Sequence, residues 1–178
     1  MQYQPVTPGD KAPDVVNVII EIQKGGGQNK YETDKKTGRL TLDRVNGTTA
    51  TYPADYGYIP GTLCEDGDPL DALLIIDEPV VHGAVVPARP IGVLYMNDEG
   101  EGDEKLICVP ADDISHEHIN ELDDIDVNFK KRVQHFYTHY KDWKNNWTGV
   151  KIEFKDWGNA ADAKKVITES IARAGSSN

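Results

Sequence analysis

The segment Glu65-Asp66-Gly67-Asp68-Pro69-Leu70-Asp71 runs without a spacer into Ala72-Leu73-Leu74-Ile75-Ile76. Three aspartates gathered around a glycine and a proline therefore stand directly ahead of an apolar run that reads as a buried strand. Like-charged carboxylates this close repel one another and raise each other's pKa unless a cation stands between them. Hard divalent cations bound through oxygen resolve that conflict, and Mg²⁺ takes a few carboxylates together with water and phosphate. In an extended segment Asp66 and Asp68, two apart, project to the same side. Gly67 lets the backbone approach closely, and Pro69 sets a bend that can return Asp71 to the same space. A solvated acidic turn is the competing reading. The abrupt onset of a buried strand after Asp71 weighs against it.

The 178 residues suffice for one domain, read here as 1–178 with an N-terminal arm over 1–14. Hydrophobic residues make up 38% and charged residues 28%, a balance that argues against wholesale disorder. A formal net charge of −11 disfavours nucleic acid and anionic membrane as partners, which need a basic footprint. It does not disfavour an anionic substrate, because bound metal ions invert the local field. No apolar stretch approaches the ~20 residues of a membrane span. Met1-Gln2-Tyr3-Gln4-Pro5 lacks the features of a signal peptide, so a cytoplasmic location is expected. Cys64 and Cys108 are expected to be reduced packing residues.

Working outward, residues 15–22 carry Val16, Val18 and Ile20 on one side and Val15 and Ile19 on the other, a strand buried on both faces. Gly25-Gly26-Gly27 ends it. Residues 30–34 and 39–45 alternate around Lys36-Thr37-Gly38, a hairpin with glycine supplying the turn. Residues 52–60 hold too much proline and glycine for a central strand and read as an ordered connection. Residues 70–76, 85–95 (interrupted by Pro87 and Pro90) and 105–109 read as strands, with an acidic loop over 97–104. Helical periodicity is confined to the last third: Val133, Phe136, Tyr137 and Tyr140 fall at i, i+3, i+4 and i+7. A short strand over 150–154 follows. Asn159 then caps a final helix striped by Ala163, Val166, Ile167, Ser170, Ile171 and Ala174. Strands first and helices late predict a mainly β (α+β) chain, a barrel or strongly curved sheet flanked by two helices.

Beside the first aspartate cluster lie three further groupings. Asp98, Glu99, Glu101, Asp103, Glu104 and Lys105 crowd the acidic loop, where a solvated surface is the plain alternative. Glu21, Lys30, Glu32 and Arg44 alternate with apolar residues along the early strands, as they would for binding a phosphate anion or for cross-strand ion pairing. Tyr52, Tyr56, Tyr140 and Lys141 could donate to phosphate oxygens, although Tyr140 also fits the helix stripe. Gly25-Gly26-Gly27-Gln28-Asn29-Lys30 is not a P-loop, since no glycine precedes Lys30 and Tyr31 follows it. His116 and His118 read as surface residues at a helix start. His135 and His139 have no partner glutamate of the H-E-x-x-H kind and read as structural.

These pieces together resemble the family I inorganic pyrophosphatases of bacteria and archaea. The likeness rests on Asp66-Gly67-Asp68-Pro69-Leu70-Asp71, preceded in order by Ile20-Glu21-Ile22, Asn29-Lys30-Tyr31-Glu32, Leu42-Asp43-Arg44 and Asp55-Tyr56-Gly57. Ala88-Arg89-Pro90-Ile91-Gly92, Asp98-Glu99, Asp103-Glu104-Lys105 and His139-Tyr140-Lys141-Asp142 continue it. Gln23 departs from the proline that the family commonly carries there. The resemblance implies a five-stranded OB-like barrel with two helices, and hydrolysis of pyrophosphate to two phosphates with three or four Mg²⁺ ions. It implies Asp66, Asp71 and Asp103 on a first metal, with Asp71 shared by a second. Asp98 with Asp103 would hold a further ion, Glu32 would hold one that arrives with substrate, and Glu21 would bond through water. Asp68 would be the general base. Lys30, Arg44, Lys105, Tyr140 and Lys141 would bind phosphate oxygens, with Tyr56 near the nucleophile. A homohexamer is implied as well. An oligonucleotide-binding barrel is the rival class, but it needs exposed aromatics in a basic groove rather than a carboxylate-lined mouth.

Overall fold

Val16, Val18 and Ile20 are wholly buried on one face of the first strand, and Ile22 at its end joins the core of the opposite face. A computed structural model describes residues 5–176. The first four residues of the expected arm, 1–4, lie outside the described residues, and the remainder is irregular over 5–9 and turn over 10–14. The strands are β1 (Val16–Ile22), β2 (Asn29–Thr33), β3 (Leu40–Val45), β4 (Asp55–Tyr58), β5 (Asp71–Leu74), β6 (Val85–Asp98), β7 (Glu101–Pro110) and β8 (Ile152–Gly158). The helices are α1 (Val127–His139), a single turn α2 (Lys144–Trp147) and α3 (Ala160–Ser176). None is long and apolar enough to cross a membrane, among the described residues.

Six strands form one sheet in the order β1-β4-β5-β7-β6-β8, with β1 also pairing β6, while β2 and β3 form a separate hairpin. Only β5 and β7 pair in parallel. Both faces of the sheet are covered. Leu73, Ile107, Leu94 and Met96 pack with Val133, Phe136 and Tyr137 of α1, whereas Ala72, Leu74, Leu106 and Cys108 pack with Ala163 and Ile167 of α3. Period-2 alternation along β5 and β7 sends successive residues to the two cores.

This architecture corrects the expected five-stranded OB-like barrel with two C-terminal helices. The sheet has six strands and is not such a barrel, and three α-helices are present among the described residues. The cause lies in β6, which runs 14 residues through both prolines and so offers edges to β1, β7 and β8. Pro90 is accommodated at a register shift between Pro90 and Gly92, the irregularity where a missing ladder donor is tolerated. Two further expectations shift. Much of the acidic loop over 97–104 is strand, turning at Glu99 and Gly100. His116 is not on the surface but buried, its Nδ1 2.6 Å from Asp113 Oδ2.

The connection expected over 52–60 contains β4, inserted between β1 and β5. Gly57 makes that possible. A Cβ there would sit 1.9 Å from the Ile19 carbonyl oxygen of β1, so only glycine lets the two backbones meet. Gly57→Ala is therefore expected to destabilise the protein by about 3 kcal/mol or more, read from the urea midpoint. An unchanged midpoint would show that β1 and β4 are not packed this closely.

Candidate active site

Parallel pairing of β5 with β7 places Asp71 directly opposite Lys105. Asp103 lies two residues before Lys105 on β7 and shares its face. Lys105 Nζ donates to Asp71 Oδ2 and to Asp103 Oδ1, each at 2.7 Å, and the residue is only 3% exposed. Burial alone would drive the proton off this amine, but Asp103 and Asp71 outweigh it and hold the ammonium well above its ordinary pKa. The rings of Tyr137 and Tyr56 lie 5.2 and 6.0 Å from Lys105 Nζ. Asp71 is itself raised by burial, opposed by Lys105 and reinforced by Asp103, and it also receives the Tyr56 hydroxyl.

Around this floor the chain closes a cleft of about 190 Å³. Glu21 enters from β1, buried, its Oε1 accepting the Thr33 N–H at 2.6 Å. The β2–β3 hairpin supplies Lys30 and Arg44, cross-strand partners, together with Glu32, which is ion-paired to Lys30. Arg44 is aimed by its Nε bond to Asn46 Oδ1 at 2.9 Å. The rim is the turn ahead of β5, where Asp66 Oδ1 accepts the Asp68 N–H at 2.9 Å and Gly67 takes a φ of +87°. Asp68 is exposed and paired to Lys35 at 2.7 Å. On the far wall Lys141, following α1, is ion-paired to Asp98 at the end of β6, beside Tyr140. All the expected site residues thus line one cleft: seven carboxylates facing a set of lysines, Arg44 and tyrosines.

The inorganic pyrophosphatase family model matches residues 18–175. The chain belongs to that family. It is 44% identical over 176 residues to the inorganic pyrophosphatase of Xanthomonas campestris, covering 97% of each. It is 45% identical over 177 residues to that of Gluconobacter oxydans, covering 98% of this chain and 99% of that one. Among solved structures, the Thermus thermophilus inorganic pyrophosphatase superposes with a TM-score of 0.90 at 40% identity, over 96% of this chain and 97% of that one.

A magnesium-dependent pyrophosphatase site must accept hard cations, and the donor set here suits them. Every candidate ligand is a carboxylate oxygen, the donor that Mg²⁺ selects over sulfur or imidazole. Asp98 Oδ1 is buried with no hydrogen-bond partner, an acceptor that a cation would satisfy. Burial also pushes Asp66 up, with Asp68, Asp103 and Asp71 adding to it, so the cluster carries more negative charge than its surroundings offset. As they stand, no three His, Cys, Asp or Glu side chains among the described residues form a metal-ligating group. The lysine ammonium groups instead take up the carboxylates in pairs.

Six lining residues fall outside the expected set, Thr33, Lys35, Tyr52, Tyr58, Pro69 and Tyr137; three of them carry groups that bear on the site. Tyr52 belongs to the tyrosine grouping that could donate to phosphate oxygens, but the family resemblance assigns it no role. Lys35 sat unremarked in the hairpin, and Tyr137 was assigned to the apolar face of α1. A tyrosine on a core stripe, with no corresponding phenylalanine, is the signal that could have drawn attention to Tyr137.

Glu21 is pushed up to about 7 from an ordinary 4.5, chiefly by burial, with Thr33 opposing and Asp71 and Glu32 reinforcing. A raised folded-state pKa favours folding at low pH: the contribution is complete below about 4.5 and is lost as pH rises through 7. Glu21→Gln retains an acceptor for the Thr33 N–H without the buried charge. In metal-free protein it should raise stability at pH 8 by about 1–3 kcal/mol and change little at pH 4.5. Urea titrations in chelator at the two pH values check this, and destabilisation at pH 8 would contradict it.

Proposed function

We propose that Asp68 is the general base of this pyrophosphatase, taking a proton from the attacking water as pyrophosphate is split into two orthophosphates. The chain hydrolyses pyrophosphate in a magnesium-dependent reaction. Asp66, Asp71 and Asp103 would hold a first ion, Asp71 also a second, and Asp98 with Asp103 a further one. Glu32 would serve one that enters with substrate, for three or four in all, while Glu21 bonds through water. When bound, magnesium lowers the pKa of a coordinated water and neutralises charge on both phosphates.

The observation that carries this reading is the convergence of the carboxylates and cations in a single cleft. Lys30, Arg44, Lys105 and Lys141 match the spread charge of a diphosphate, and Arg44 can bind two oxygens at once. Tyr140 donates beside them, and Tyr56, bonded to Asp71, supports the nucleophile's surroundings. A phosphate that arrives between the lysines offers them anionic partners other than Asp71, Asp98 and Glu32, which leaves those carboxylates available to cations. Asp68 stands at the rim, where water reaches it and where Lys35 holds its side chain. The reading extends to a homohexamer, for which the exposed His135–His139 pair on α1, centroids 4.6 Å apart, offers a contact face. It extends also to a reducing cytoplasm, in keeping with the free, buried Cys64 and Cys108.

Phosphate release from pyrophosphate should disappear on chelation, return with Mg²⁺, and exceed release from ATP under the same conditions. Asp68→Asn should fold as the wild type does, by circular dichroism, while turnover drops roughly 10²–10³-fold. A folded Asp68→Asn enzyme with near-normal turnover would remove Asp68 from its role.

A further inference from the structure

Tyr137 is 2% exposed, yet its hydroxyl has no hydrogen-bond partner. Among the described residues only one other buried side-chain polar atom is in that position, Asp98 Oδ1, which lines the same cleft. An unmade hydrogen bond on a buried hydroxyl is costly, and a phenylalanine would keep everything else the ring does. The ring packs edge-on against Phe136 and Tyr140, with centroids at 5.1 and 5.5 Å, and sits 5.2 Å from Lys105 Nζ. None of those contacts uses the oxygen. The hydroxyl is thus the feature that needs a partner.

Two sources of a partner can be compared. Behind α1, Tyr137 also borders a crevice of about 10 Å³ walled by Leu94, Met96, Gln134, Thr138, Ile152 and Phe154. A water needs about 10–15 Å³ and two or more polar neighbours; this crevice is at the lower edge of that size, and the Thr138 hydroxyl on its wall is already given to the Gln134 carbonyl at 2.8 Å. On the cleft side, Lys105, whose Nζ lies 5.2 Å from the Tyr137 ring, takes up Asp71 and Asp103. Among the described residues no acceptor reaches the Tyr137 hydroxyl, and a phosphate group brings several. Burial holds the phenol well above its ordinary pKa despite Lys105, so it stays a donor throughout the working pH range.

We infer that the Tyr137 hydroxyl donates a hydrogen bond to a phosphate oxygen of bound substrate and product, alongside Lys105 and Tyr140. This rests on the pyrophosphate reading above. It makes Tyr137 a ligand-contacting residue of the cleft in addition to a core residue of α1.

Tyr137→Phe is the test, because it removes one oxygen and nothing else. In the metal-free, ligand-free protein the variant should melt at or above the wild-type temperature, since it loses only an unsatisfied group. With saturating Mg²⁺, calorimetric affinity for inorganic phosphate should weaken roughly ten- to a hundredfold, and KM for pyrophosphate should rise in step. Unchanged phosphate affinity and KM would overturn the inference. So would a lower melting temperature of the free variant with binding intact, which would make the hydroxyl structural. If the wild type itself releases no phosphate from pyrophosphate with Mg²⁺, the fault lies in the functional reading rather than in Tyr137.

Discussion

Lys105 Nζ is held 2.7 Å from an oxygen of Asp71 and 2.7 Å from one of Asp103, almost entirely out of water. The three charges hold one another in place: removing the cation would leave two half-buried anions facing one another, and removing either anion would leave the buried ammonium less compensated. The geometry is set by backbone pairing. The parallel register that opposes Asp71 to Lys105 requires β7 beside β5, and β5 reaches that position only because Gly57 lets β4 lie against β1. The metal site, the phosphate site and the sheet order therefore share one constraint.

From that floor the cleft is an electrostatic balance rather than a rigid cage. Each lysine is engaged with a carboxylate: Lys30 with Glu32, Lys35 with Asp68, Lys105 with Asp71 and Asp103, Lys141 with Asp98. Divalent cations on the carboxylates and a polyanion on the lysines would satisfy both sets more fully, because each set would exchange a shared partner for one of higher charge. Burial sharpens the demand. Lys141 is lowered by desolvation despite Asp98, and Glu104, next to Asp103, is raised by it. That balance is what the proposed joint binding of metal and phosphate would draw on.

The sequence made local features legible and long-range ones not. The hairpin around Lys36-Thr37-Gly38, the α1 stripe through Val133, Phe136 and Tyr137, and the Asn159 start of α3 follow from turn chemistry and 3.6-residue periodicity, and each is present. β4 was hidden because Pro53, Gly57 and Pro60 read as loop, although Gly57 is there for a close strand approach. The strand count was misjudged because the triple pairing of β6 depends on partners 60 or so residues away, which no local pattern encodes. In the cleft, Asp66, Asp68 and Asp71 stood out by their spacing, and the family motifs brought in the remaining residues that line it. Tyr137 escaped because a buried tyrosine on an apolar stripe looks the same whether or not its hydroxyl is used. Only packing around the oxygen distinguishes the two.

The central claim is that these carboxylates are paired with lysines in the free protein and are available to ions. Anomalous diffraction from crystals soaked in Mn²⁺, a redox-quiet oxygen-seeking substitute for Mg²⁺, tests it most directly. The account predicts anomalous peaks inside the cleft, with oxygens of Asp66, Asp71, Asp98 and Asp103 among their ligands. Peaks confined to other surface carboxylates, with Lys105 and Lys141 still locked to their aspartates at saturating metal, would contradict it.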